Sequence, residues 1–169
     1  GTLFVDATSR IDVTAKGYRA GYTTGNTTVG GAINRAAGSY GGLAGDDFTN
    51  AVYGDYADPD DWGSGGSGYY GGGPGGGLVR LRAGSLNLHG TLLADGGSAP
   101  DSPGGSGGGI YVNVGSLIGD GLIRAQGQQD GGGGGRIAVY SEDFTGFNLD
   151  HITATGGTGA TAGSVHVVQ

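Results

Sequence analysis

Gly104-Gly105-Ser106-Gly107-Gly108-Gly109 runs without a break into Ile110-Tyr111-Val112-Asn113-Val114. The second half places apolar residues at every other position, the pattern of a strand that buries one face. The first half has almost no side chains and loses the most entropy on ordering. The junction recurs as Gly76-Gly77-Leu78-Val79-Arg80-Leu81, as Gly134-Gly135-Arg136-Ile137-Ala138-Val139 and as Gly163-Ser164-Val165-His166-Val167. Leu3-Phe4-Val5 is a further copy of the strand. Disordered chains lack such repeated apolar alternation.

A second element follows each of the first four strands: Ile11-Asp12-Val13, Leu92-Leu93-Ala94-Asp95-Gly96, Ile123-Arg124-Ala125-Gln126-Gly127 and Ile152-Thr153-Ala154-Thr155-Gly156. Aligning Val79, Ile110, Ile137 and Val165 gives steps of roughly 31, 27 and 28 residues, within the range of solenoid repeats. The pattern predicts an all-β, right-handed parallel β-helix of about four coils, each made of strands of about four to six residues. Val79, Ile110, Ile137 and Val165 would stack inside, as would Ala94, Ala125 and Ala154, with Arg80, Tyr111, Arg124, Thr153 and His166 facing out. Apolar residues between the two elements (Leu86, Leu88, Leu117, Ile118, Phe144, Phe147) read as a separate link. The first coil is too long, which places an insertion over about residues 17–77 of a single domain spanning 1–169. Within it, residues 30–38 offer at most one or two helical turns.

Glycine makes up 44 of 169 residues, where ordinary composition gives about 12. There is no Gly-X-Y period and there are only four prolines, so this is not collagen. The tracts at 71–77, 104–109 and 131–135 admit three readings: stacked corners using positive φ, polyproline II segments packed side by side, or flexible linker. Cysteine and methionine are absent, so there is no disulfide framework. The net charge of −7 argues against nucleic acid and anionic membrane surfaces as partners. No run of about 20 apolar residues is present, so no helical membrane insertion is expected. The start at Gly1, inside a strand pattern, predicts a fragment of a larger protein with flanking domains.

Val5-Asp6-Ala7-Thr8-Ser9-Arg10-Ile11-Asp12-Val13, Gly38-Ser39-Tyr40-Gly41-Gly42, Tyr53-Gly54-Asp55 and Pro59-Asp60-Asp61-Trp62-Gly63-Ser64-Gly65-Gly66 together resemble a glycine-rich module of large bacterial surface and secreted proteins. The glycine-led strands at Leu78 and Ile137 fit the same module, and the resemblance covers most of the chain. It implies an extracellular or cell-surface location and β-helical architecture, and no catalytic residues.

The insertion holds the candidate sites. Asp46, Asp47, Asp55, Asp58, Asp60 and Asp61 fall within sixteen residues that contain no lysine or arginine. A calcium ion would relieve their repulsion through carboxylate and backbone oxygens; the alternative is a solvated acidic loop whose aspartates cap turns. Tyr53, Tyr56, Trp62, Tyr69 and Tyr70, with Tyr40 close by, supply aromatic faces suited to sugar rings of a polysaccharide or cell-surface glycan. The alternative is a satellite core in which Trp62 and at least two of the tyrosines are buried, and that is the expectation here. Asp95, Asp120 and Asp150 occupy unequal repeat positions, so a polysaccharide-cleaving acid pair is a weaker reading than turn residues. His89, His151 and His166 are scattered without metal-ligand spacing. The expected role is a structural or adhesive module without enzymatic activity, with carbohydrate binding as the alternative.

Overall fold

Alternation along the strands translates into two parallel sheets. The computed structural model describes residues 1–169 apart from the side chain of Tyr70, which lies outside the described residues. Nine strands form: β1 (Thr2–Val5), β2 (Arg10–Asp12), β3 (Leu78–Leu88), β4 (Thr91–Leu93), β5 (Gly109–Gly119), β6 (Leu122–Arg124), β7 (Arg136–Phe147), β8 (Ile152–Thr153) and β9 (Ser164–Val168). Odd strands make one sheet in the order β1-β3-β5-β7-β9, and even strands make the other, β2-β4-β6-β8. All pairings are parallel, so successive strands alternate between the sheets. Helix is limited to two single 3-10 turns, Gly68–Tyr70 and Leu149–His151.

The expected register holds: Val79 pairs with Ile110, Ile110 with Ile137, and Ile137 with Val165. The first three are buried, but Val165 is 44% exposed, because β9 is the last strand of its sheet and nothing stacks beyond it. Ile11, Leu92, Ile123 and Ile152 form the matching ladder of the second sheet. Ala94, Ala125 and Ala154 are buried as expected.

The strands are longer than the sequence suggests. β3 and β5 have 11 residues and β7 has 12, so the link residues belong to them. Val79, Leu81 and Ala83 point inward at odd positions, whereas Leu86 and Leu88 point inward at even ones. In β5 the switch falls between Val114 and Leu117. Gly84 and Gly115 sit at these changes of phase, where the absent side chain lets the strand turn a corner. Ile118 stays partly exposed, while Leu86, Leu88, Leu117 and Phe147 are buried.

The glycine tracts are not corners. Within 71–77, 104–109 and 131–135, only Gly71 and Gly131 have positive φ. Most of the others bond across to neighbouring segments, and the donors recur at three-residue spacing, the period of polyproline II. Gly73 and Gly76 donate to Pro103 and Ser106 carbonyls; Gly104 and Gly107 donate to those of Asp130 and Gly133; Gly63 and Gly66 donate to those of Gly76 and Gly73. These segments are buried, and a Cβ on most of their glycines would lie well under 3.0 Å from a neighbouring carbonyl. Glycine is needed for this closeness of approach. The segment between β2 and β3 joins the same lattice: Gly17 donates to Gly75, Gly38 to Gly104, and Gly41 to Gly134.

Candidate binding face of the insertion

Between β2 and β3 the large side chains pack on one another and on side chains of the odd-strand sheet. Tyr40 is fully buried, its ring centre 4.9 Å from that of Tyr53. The buried Arg136 guanidinium lies over Tyr40 at 5.5 Å, and its Nε donates to the Tyr53 carbonyl at 2.7 Å. Asn50 fixes the preceding loop, accepting from Ser39 N and donating to Ser39 O. Burial pushes the phenols of Tyr40 and Tyr53 well above the ordinary tyrosine range.

Beside this core lies a hydrogen-bonded cluster centred on Asp61. Its carboxylate accepts from the Tyr18 hydroxyl at 2.7 Å, the Thr24 hydroxyl at 2.6 Å and Trp62 N at 2.7 Å. Burial, and then the hydrogen bond to Asp61, push Tyr18 up to about 12. The Tyr53 hydroxyl donates to the Trp62 carbonyl at 2.6 Å and contacts Ser64 Oγ, which in turn meets Thr23 Oγ1. Trp62 was expected inside a satellite core. Instead it is 43% exposed, its ring edge-on to Tyr18 at 5.3 Å. Tyr40, Tyr18 and Tyr53 fill the small core, and the backbone bonds at residue 62 hold the indole at its margin. Tyr18 was absent from the sequence candidates; its position directly after Gly17, where the lattice begins, was the available signal.

The other candidates lie elsewhere. Tyr56 is exposed and packs edge-on against His166 at 5.2 Å, with Tyr140 on the same imidazole at 5.7 Å. This places it over the outward face of the odd-strand sheet. Arg80 stacks on Tyr111 there at 4.4 Å and donates to the Pro59 carbonyl and the Asp58 carboxylate, while the Tyr140 hydroxyl donates to the Ala57 carbonyl. Tyr111, expected to face solvent, is buried beneath this strap. Tyr69 is 76% exposed in the turn after Ser67, and the Tyr70 side chain lies outside the described residues. The four described aromatic candidates, Tyr53, Tyr56, Trp62 and Tyr69, therefore do not converge on one surface.

Neither do the acids. Asp46 accepts from Ala37 N, Asp55 from Ala57 N, Asp58 pairs with Arg80, and Asp61 is committed to its three donors. Asp47 and Asp60 are exposed. Among the described residues no group of three or more His, Asp or Glu side chains is placed to hold a metal ion. Of the charge that looked uncompensated along the sequence, that of Asp58 is met across space by Arg80, while Asp46, Asp55 and Asp61 accept from backbone N–H groups. Asp95 forms a two-pronged pair with Arg124, and Asp120 pairs with His89 at 2.7 Å.

Two clefts flank the turn at Asn34-Arg35. One, of about 420 Å³, is lined by Gly21, Thr28, Ala32, Ile33, Asn34, Ser67, Gly68 and Tyr69. The other, of about 370 Å³, is lined by Arg35, Asp101, Ser102, Pro103 and Asp130. Asn34 and Arg35 both have positive φ, so a single tight turn stands where a short helix was conceivable. No protein-family model, curated protein or solved structure matches this chain.

Proposed function

We propose that this chain is a β-solenoid module of an extracellular bacterial surface or secreted protein, serving as a rigid, non-enzymatic scaffold that presents an adhesive face. The two parallel sheets and their repeat-to-repeat register support about four coils. Parallel strands joined by crossovers are right-handed in about 98% of cases, which supports that hand. The resemblance to glycine-rich bacterial surface modules supports the location.

One observation carries the adhesive reading. Of the twelve large hydrophobic side chains exposed among the described residues, eight lie in the insertion: Val29, Ile33, Leu43, Phe48, Val52, Tyr56, Trp62 and Tyr69. Exposed apolar side chains are thus more frequent between β2 and β3, where they are available for contact with a partner, than in the strands, and they are carried on hydrogen-bonded glycine segments that hold the backbone in place. The polysaccharide-cleaving alternative is weakened because Asp95 and Asp120 are each committed to a separate basic partner. A carbohydrate ligand is favoured by the exposure of Trp62 on a fixed backbone. A glycan array probed with the intact module tests this: retention on defined glycans without turnover is expected. Chain shortening of a bound glycan would refute the non-enzymatic reading, and an empty array would refute glycan adhesion.

A further inference from the structure

The cleft of about 420 Å³ beside Tyr69 differs from the rest of the insertion in its charge. Among the described residues that line it there is no carboxylate, amine, guanidinium or imidazole, in a chain of net charge −7 whose acidic run lies close by in sequence. Apolar surface comes from Ala32, Ile33 and Tyr69, with Ile33 56% exposed. Three neutral hydrogen-bonding side chains, Thr28, Asn34 and Ser67, complete the lining. Ser67 is buried, and its Oγ accepts from Tyr69 N at 3.3 Å, which leaves the hydroxyl proton to donate. The backbone is fixed by bonds from Ile33 N to Phe48 O and from Ala36 N to Ile33 O, both at 3.0 Å. Within that closed turn Asn34 and Arg35 adopt φ of 52° and 69°. Left-handed non-glycine residues are uncommon, and such strain gathers at sites that bind. Size, an apolar lining and a few polar groups match a small-ligand site.

We infer that this cleft is a subsite for one uncharged pyranose ring of a neutral polysaccharide. The sugar's C–H face rests on Tyr69 and Ile33, and its hydroxyls bond to Thr28, Asn34 and Ser67. The inference rests on the adhesive reading above and names its ligand class and location. Anionic glycans are disfavoured, because none of the described residues lining the cleft is cationic.

Native affinity electrophoresis of the whole module tests it, in gels cast with neutral polysaccharides (mixed-linkage glucan, xylan, galactomannan) or acidic ones (alginate, polygalacturonate). At least one neutral gel should retard the protein, and the acidic gels should not. Asn34→Gly suits the left-handed backbone and removes the amide, so it should leave the melting temperature unchanged or raised while weakening retention at least tenfold. Tyr69→Ala should weaken it similarly. Retention that survives Asn34→Gly and Tyr69→Ala but falls on Trp62→Ala overturns the cleft and leaves the adhesive reading standing. Equal retardation by acidic gels overturns the uncharged ligand. No retardation in any gel overturns the subsite and the glycan ligand together, leaving only the scaffold.

Discussion

Substituting Gly75 by alanine probes the glycine lattice at one of its closest approaches. Gly75 N donates to the Tyr18 carbonyl at 2.8 Å, and its own carbonyl accepts from Gly17 N at 2.7 Å. A Cβ there would lie well under 3.0 Å from the carbonyl group of Gly63, whose own N–H is bonded to Gly76 O. These atoms are backbone, so no rotamer change relieves the clash and the segments must separate. Overpacking costs about 1–3 kcal/mol, and loss of the two bonds adds about 0.5–1.5 kcal/mol each, so Gly75→Ala should destabilise by about 2–6 kcal/mol. That is a large part of the roughly 5–15 kcal/mol that holds a domain folded. Gly25 is the control: it has φ of 74° and nothing within 4 Å of the added atom, so Gly25→Ala should cost only about 1–2 kcal/mol for the left-handed backbone. Urea unfolding followed by far-UV circular dichroism measures both. If the tract were flexible linker, Gly75→Ala would be neutral or stabilising by about 0.4–1 kcal/mol. A cost no greater than that of Gly25→Ala would refute the lattice.

Trp62→Ala should cost about 1–2 kcal/mol, well short of the roughly 3–5 kcal/mol of a fully buried aromatic, and native emission should be red-shifted and open to acrylamide quenching. Asp6, Asp12, Asp120 and Asp143 are held below the usual carboxylate range, the first by Thr8 and Ser9, the second by Thr14, the third by His89 and the last by Thr145. Their folded values lie below the unfolded ones, so their stabilisation is present above about pH 4 and is lost as pH falls further; urea midpoints measured from pH 7 to pH 2.5 should decline at the acid end. Tyr18, Tyr40 and Tyr53 shift the other way, so stability should fall as pH rises from about 10 towards 12, with these phenolates appearing at 295 nm only on unfolding. Millimolar calcium and EDTA should give the same melting curve, because the aspartates between 46 and 61 do not converge; a calcium-dependent rise in melting temperature would contradict this.

The ladder from Val79 through Ile110 to Ile137 was legible because each strand announces itself by alternating apolar residues after glycine. The second half of β3 was not legible as strand, because the inward phase changes at Gly84 and an unbroken strand then looks like two segments. Burial of Tyr111 depends on residues 57–59 crossing over it, a contact between positions far apart in the chain. Glycine hides the most. Gly76 meets Ser106, and Gly107 meets Gly133, through backbone alone, so no side-chain pattern encodes the pairing. Abundance of glycine indicated that something unusual was packed, without separating corner from extended segment. Trp62 failed as a core residue for a local reason: Tyr18 and Tyr53 already satisfy the polar groups around it and occupy the space beneath.

Sequence-distant glycine segments bond to one another in fixed register where they lead into the parallel strands. Through-hydrogen-bond NMR couplings on labelled protein, combined with amide exchange, read this register bond by bond. The structure predicts correlations from Gly76 N to the Ser106 carbonyl, from Gly107 N to that of Gly133 and from Gly63 N to that of Gly76, with exchange as slow as at Ile110 and Ile137. Rapidly exchanging tract amides with random-coil glycine shifts, beside protected strand amides, would contradict it.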